Sequence, residues 1–216
     1  MARLKLGVLI SGRGSNLQAL LDAAAGPSFP AEVVLVLSNK AEAAGLDRAR
    51  SAGVTADAIS HKDFADREGF ERALSERLER AGVELVCLAG FMRVLTPWFV
   101  DRWRDRLINI HPSLLPSFPG LDTHARALAA GVRIHGCTVH YVRAGVDDGP
   151  ILVQAAVPVL PDDDETRLAA RVLTAEHHCY PLAVRLIAEN RVRLEGDHAR
   201  VEADPAGETV LLNPAH

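Results

Sequence analysis

The chain has 216 residues, 48% of them hydrophobic and 24% charged, with a formal net charge of −4. A chain of this size buries roughly 70% of its unfolded surface, so it can hold a core without staples, and its acidic balance argues against a nucleic-acid surface. Three widely spaced cysteines, Cys87, Cys137 and Cys179, form no CxxC pair, which argues against a disulfide framework or a zinc–cysteine site and fits a reducing compartment. The N-terminal apolar run is about seven residues, short of the roughly 20 that a membrane span needs. The expectation is a cytoplasmic protein with no membrane partner.

In chain order, "LKLGVLI" (Leu4–Ile10) reads as a continuous apolar strand, and Ser15–Ala25 shows helical spacing at Leu17, Leu20 and Leu21. Ala31–Asn39 is strand-like, Ala41–Gly53 reads as a helix ending at glycine, and a charged helix follows over about Asp66–Gly82. Val83–Phe91 is the next strand, and "LINIH" (Leu107–His111) the one after. Continuous apolar strands separated by helices imply a mostly parallel, doubly wound α/β sheet covered on both faces. Beyond Gly120 come a short helix, Thr123–Gly131, and strands His135–Val142 and Ile151–Leu160. Their eight-residue connection is too short for a parallel crossover, which takes a dozen or more, so these two are expected to run antiparallel. Asp164–Asn190 is mostly helical, with a bend expected near Pro181. The polar end of the chain could add an edge strand. The organisation expected is one domain over 1–216: a nucleotide-binding lobe over 1–100, a second lobe over 101–190 and a tail over 191–216.

The first strand feeds into "SGRGSN" (Ser11–Asn16) and then a helix. Gly12 and Gly14 permit a tight turn and close approach by a ligand. Free amides and the positive end of the helix dipole favour an anion, with Ser15 and Asn16 as further donors or as helix caps. The loop matches neither the Walker pattern nor G-x-G-x-x-G, because position 17 is Leu. The residues alone leave two readings, a capped strand-to-helix turn and a phosphate site.

In "RLINIHPSLLPSFPG" (Arg106–Gly120), Asn109 and His111 lie two apart on a strand and so face the same way. Pro112 holds His111 extended and ends the pairing. The tip of the strand thus presents an amide and an imidazole where open α/β sheets bind ligands. Both can donate to an oxygen that becomes negative during acyl chemistry, and the imidazole can move a proton near neutral pH. The other reading is a capping asparagine and a histidine satisfied by backbone. Ser113 is a weak nucleophile candidate, because the G-x-S-x-G elbow is missing. The carboxylate expected beside His111 is Asp147 or Asp148 in "VDDGP". No metal site is expected: His135 and His140 are five apart on a strand, His177 and His178 diverge on a helix, and there is no H-E-x-x-H.

The segments "LISGRGSNLQAL", "LSNKAEAAGLDRA", "LAGFMRVL", "NIHPSLLPSFPGLDTHARAL", "HGCTVHYV", "VDDGPIL" and "AEHHCYPL" occur in that order. Together they resemble the phosphoribosylglycinamide formyltransferase family of folate-dependent enzymes in purine synthesis, over roughly Leu6 to Asn190. The resemblance implies formyl transfer from 10-formyltetrahydrofolate to the amine of phosphoribosylglycinamide. It implies that Asn109 and His111 stabilise the oxyanion while Asp147 keeps His111 charged and helps to move a proton. It also implies a substrate phosphate on Gly14, Ser15 and Asn16, with Glu176 on the same substrate. Folate would lie against Met92, Arg93, Val94, Leu95 and Asn109, with Arg67 nearby, and against the loop Arg143, Ala144, Gly145, Val146 and Asp147. One departure stands out: relatives are expected to read Asp-Gly-Gly-Pro where this chain has Asp147-Asp148-Gly149-Pro150.

Other members of the wider family compete. A methionyl-tRNA formyltransferase would need a further basic C-terminal domain, and a formyltetrahydrofolate hydrolase a regulatory domain before the first strand. A sugar-nucleotide formyltransferase is not separated by length. A non-catalytic nucleotide-binding module would leave the Asn109–His111 tip unused. The enzyme is expected to be a monomer or homodimer without metal.

Overall fold

The structure, a computed structural model, describes residues 2–202 and 213. Its frame is a seven-stranded sheet in the order β3-β2-β1-β4-β5-β6-β7. The strands are β1 (Leu4–Ile10), β2 (Ala31–Ser38), β3 (Thr55–Ala58), β4 (Leu85–Leu88), β5 (Leu107–His111), β6 (Ile134–Tyr141) and β7 (Ile151–Pro158). β3 through β5 are parallel, and β6 and β7 are antiparallel to their neighbours. The change of sense falls at β5, the strand that carries Asn109 and His111.

Period-two alternation in β1 divides the core. Leu6, Val8 and Ile10 enter one buried cluster and Leu9 the other. The first cluster is covered by α1 (Ser15–Ala25), α2 (Gly45–Ser51), α5 (Thr123–Ala129) and α6 (Glu165–Ala188), and the second by α3 (Arg67–Arg80) and α4 (Pro97–Arg102). Gly7 lets α3 come close: a Cβ there would meet Leu78 Cδ2 at 2.5 Å. Trp103 and Phe70 are fully buried on this side, each contributing on the order of 3 kcal/mol of burial. The Trp103 indole N–H donates to Ser75 Oγ at 3.1 Å.

Several boundaries differ from the sequence expectation. α2 begins at Gly45 rather than Ala41. α6 runs unbroken through Pro181. Among the described residues the chain end adds no strand to the main sheet: β8 (Val192–Glu195) and β9 (His198–Val201) pair with each other as a separate hairpin. The rest of the expected tail, residues 203–212 and 214–216, lies outside the described residues. Three elements went unread, namely β3, a 3₁₀ turn at His61–Asp63 and α4.

Two contacts place the site. Tyr180 of α6 is fully buried and donates its hydroxyl to Leu88 O at 2.8 Å, 3.3 Å from Ile108 O, so α6 is pinned across β4 and β5. At the tip of β1, Gly14 takes the left-handed conformation (φ 71) and α1 starts directly behind it. A Cβ on Gly14 would stand 2.7 Å from Gly45 Cα, because Gly45 N–H donates to Gly12 O and draws α2 against the loop.

Gly14→Ala therefore carries two costs, a left-handed backbone penalty of about 1–2 kcal/mol and a collision with α2. Gly53 has a similar φ of 73, with open space beside it among the described residues. Gly53→Ala is expected to lose only the backbone part in urea unfolding and Gly14→Ala clearly more. Equal losses would mean that α2 moves away freely.

Candidate active site

β5 ends at His111 because Pro112 cannot extend the ladder. The chain then folds back in a tight turn fixed by side chains of the neighbouring strands. Leu115 N–H donates to Thr138 Oγ1 at 3.0 Å, and Thr138 Oγ1 donates to Ser113 O at 2.7 Å. Gln154 Nε2 donates to both Leu115 O and Thr138 Oγ1 at 2.9 Å. Ser113 is fully buried and its hydroxyl bonds Ser117 O, the role of a turn serine rather than a nucleophile. This turn delivers the carbonyl of Phe118 to His111 Nε2 at 3.0 Å.

The other ring nitrogen, His111 Nδ1, lies 3.3 Å from Asp147 Oδ2. A carbonyl only accepts, so Nε2 is the donor to Phe118 O, and Nδ1 faces the carboxylate. The Nδ1 contact is longer than the 2.7–2.9 Å or so usual for a charge-assisted bond. Asp147 sits in left-handed backbone (φ 49), and its Oδ2 also accepts from Gly120 N–H at 2.7 Å. Asp147, not Asp148, therefore meets His111. Asp148 is exposed and folds over Gly145, where a Cβ would lie 2.9 Å from its carboxylate oxygen.

Asn109 is half-buried and directly opposite His140 on β6. His140 Nδ1 donates to Tyr141 O at 2.9 Å, so Nε2 is left as the acceptor for Asn109 Nδ2 at 3.4 Å. Burial pushes the His140 pKa down, which keeps it neutral and able to accept. That contact orients the Asn109 amide, and its other N–H and its carbonyl have no side-chain partner among the described residues. Sequence reading missed His140. The antiparallel pairing of β5 with β6 would have placed it opposite Asn109.

The second cluster joins residues 160 apart in sequence. Asn16 Nδ2 donates to Glu176 Oε2 at 2.6 Å, and both side chains are buried. Glu176 lies one turn before Tyr180 on α6, so the contact that pins the helix also aims the carboxylate. Asn16 Oδ1 has no partner among the described residues. The expected capping role does not appear: the N-cap is Gly14, and no side chain caps α1 among the described residues. The first-turn amides at Ser15 and Asn16 have no intrahelical partner, as at any helix start.

The remaining predicted residues divide between two loops and a helix start. Met92, Arg93, Val94 and Leu95 follow β4. Their loop is tied to β1 by Met92 N–H donating to Ser11 Oγ at 2.8 Å and Ser11 N–H to Gly90 O at 3.1 Å. The guanidinium of Arg93 lies over Phe70. Arg143, Ala144, Gly145 and Val146 lead to Asp147. Met92, Val94 and Val146 are all more than 60% exposed. Arg67 opens α3, and no hydrogen bond or ion pair joins it to either loop among the described residues.

This chain belongs to the formyl transferase family, whose model matches residues 4–184. It is 46% identical over 192 residues to phosphoribosylglycinamide formyltransferase of Escherichia coli, covering 89% of this chain and 91% of that protein. It is 55% identical over 193 residues, 88% of this chain, to the trifunctional purine biosynthetic protein adenosine-3 of Drosophila pseudoobscura pseudoobscura. The chain spans 14–19% of the length of the trifunctional relatives it matches. The crystal structure of glycinamide ribonucleotide transformylase 1 from Symbiobacterium toebii superposes with a TM-score of 0.90 at 50% identity, covering 92% of this chain and 94% of that one. Among the described residues, no helix is long and apolar enough to cross a membrane.

Burial raises the Glu176 pKa, opposed by the hydrogen bond from Asn16. A folded-state pKa above the unfolded one gives stability that is complete below about pH 4.3 and lost as pH rises through the raised value. Glu176→Gln mimics the protonated acid. It is expected to match wild type in acid and to become the more stable of the two towards neutral pH, read from urea midpoints. Wild type gaining on the variant as pH rises would show that the carboxylate is stabilised instead.

Proposed function

We propose that the chain transfers a formyl group from 10-formyltetrahydrofolate to the amine of phosphoribosylglycinamide, in the cytoplasm and without a metal. The observation that carries this reading is the His111 ring held between Phe118 O and Asp147, two residues beyond an oriented Asn109 amide. The likeness to the Escherichia coli enzyme along nearly its whole length supports the choice of acceptor.

The substrate phosphate rests on the first-turn amides of α1 at Gly14, Ser15 and Asn16, where backbone donors and the helix dipole favour an anion. Glu176 accepts from the ribose hydroxyls and shares Asn16 with them. The folate rings lie between the Met92–Leu95 loop and the Arg143–Asp147 loop. The amine lone pair attacks the formyl carbon, and the carbonyl electron pair moves onto oxygen. Asn109 Nδ2–H and His111 Nδ1–H donate to that oxygen as its charge develops. Collapse restores the carbonyl and breaks the bond to N10, which takes up the proton that the amine gives away, with Asp147 as the relay between them. Nε2 stays bonded to Phe118 O, so the ring keeps its orientation while Nδ1 works.

Removing one oxyanion donor costs about 100- to 1,000-fold in turnover. Asn109→Ala and His111→Ala are each expected to lose at least that in kcat, with binding of the ribonucleotide near normal. Ser15→Ala is expected to raise KM for the ribonucleotide more than it lowers kcat. The assay follows loss of formyl folate with and without phosphoribosylglycinamide. Turnover without the amine would identify a formyl-folate hydrolase, and silence in both tubes would leave a binding module.

A further inference from the structure

The loop that carries Asp147 has a closed root. Tyr141 N–H donates to Pro150 O, Val142 N–H to Leu107 O and Arg143 N–H to Asp148 O, at 2.9, 2.9 and 3.1 Å. Gly149 completes the return at φ 134, where a Cβ would strike Tyr141 O at 2.1 Å. Ala144, Gly145 and Val146 then project into solvent, and Asp147 holds the far end against Gly120 and His111. One further tie leaves this loop sideways. Arg143 Nη2 donates to Asp105 Oδ1 at 2.7 Å, with the arginine side chain 12% exposed and the aspartate 48%. Asp105 occupies a left-handed turn (φ 60) two residues before β5. The strand that bears Asn109 and His111 is thus linked to the Asp147 loop at its start as well as at its tip.

We infer that Arg143 and Asp105 are positioning residues: their ion pair sets the height of the 143–148 loop above β5 and thereby fixes the formyl-folate contact surface and the reach of Asp147. The inference rests on the folate reading above. Among the described residues this is the root attachment made between two charged side chains, so it is the one that charge removal or salt can loosen without altering the main-chain ladder. Asp105 lies outside the folate-contacting loop, and a change there acts on folate only through Arg143. Asn tolerates left-handed backbone as well as Asp does, so Asp105→Asn removes the charge and keeps the turn.

The test measures the Kd for tetrahydrofolate by calorimetry, together with KM for both substrates and Tm, in wild type, Asp105→Asn and Asp105→Glu. Asp105→Asn is expected to raise the tetrahydrofolate Kd and the formyl-folate KM roughly threefold to fivefold, the upper range for a partly exposed pair. The phosphoribosylglycinamide KM stays unchanged, and Asp105→Glu recovers most of the loss. Between about 0.1 M and 1 M salt, over which the screening length falls from roughly 10 Å to roughly 3 Å, folate affinity declines less steeply in Asp105→Asn than in wild type. Folate parameters equal to wild type, or both KM values rising together with a lowered Tm, would overturn the inference while leaving the folate reading intact. A wild type that neither binds tetrahydrofolate nor consumes formyl folate would overturn both.

Discussion

Everything at the proposed catalytic centre depends on one ring held from two sides. His111 ends β5 with Phe118 O on Nε2 and Asp147 on Nδ1. Neither partner comes from its own strand. Phe118 arrives through a proline-bounded turn fastened by Ser113, Thr138 and Gln154, and Asp147 arrives from the β6–β7 connection. Both partners adopt positive φ (54 for Phe118, 49 for Asp147), a backbone region that non-glycine residues seldom occupy and that surrounding contacts must hold in place. The ring is therefore aimed before any substrate arrives, and little reorganisation is left for the reaction itself.

The sheet explains why these pieces can meet. β5 is the last parallel strand, and its far neighbour runs the other way. The chain returns from β5 through the 112–122 turn and α5 and then re-enters the sheet in the opposite sense. The antiparallel β6 sets His140 opposite Asn109 and Thr138 opposite His111. One strand thus supplies a fixed acceptor for the amide and a hydroxyl for the turn beyond the imidazole. The proposed phosphate cradle is built by other means. Glycine contacts between α1 and α2 let the loop close tightly, and Tyr180 anchors α6 so that Glu176 meets Asn16 across 160 residues of sequence.

Sequence reading reached β1, α1 and β5 at their observed boundaries, because continuous apolar runs, helical leucine spacing and a terminal proline are local signals. It reached the shared direction of Asn109 and His111 for the same reason: period two needs no knowledge of neighbours. β3 was missed because it is a four-residue edge strand, "TADA", with no buried residue and no large apolar side chain. α4 was missed because six residues cannot show a helical period. The Asn16–Glu176 bond, the His140 contact, the Phe118 carbonyl and the Arg143–Asp105 pair share another cause. Each joins elements whose adjacency is decided by the sheet order, which no window of sequence contains. The extra carboxylate at Asp148 was visible in the sequence, but only the folded loop shows it turned over Gly145.

The most direct measurement is ¹⁵N NMR of the His111 ring in wild type and Asp147→Asn across a pH series. The account predicts a proton on Nε2 at every pH, with Nδ1 the nitrogen that exchanges its proton and whose signal changes when Asp147 loses its charge. A neutral ring carrying its proton on Nδ1, with Nε2 bare towards Phe118, would contradict it.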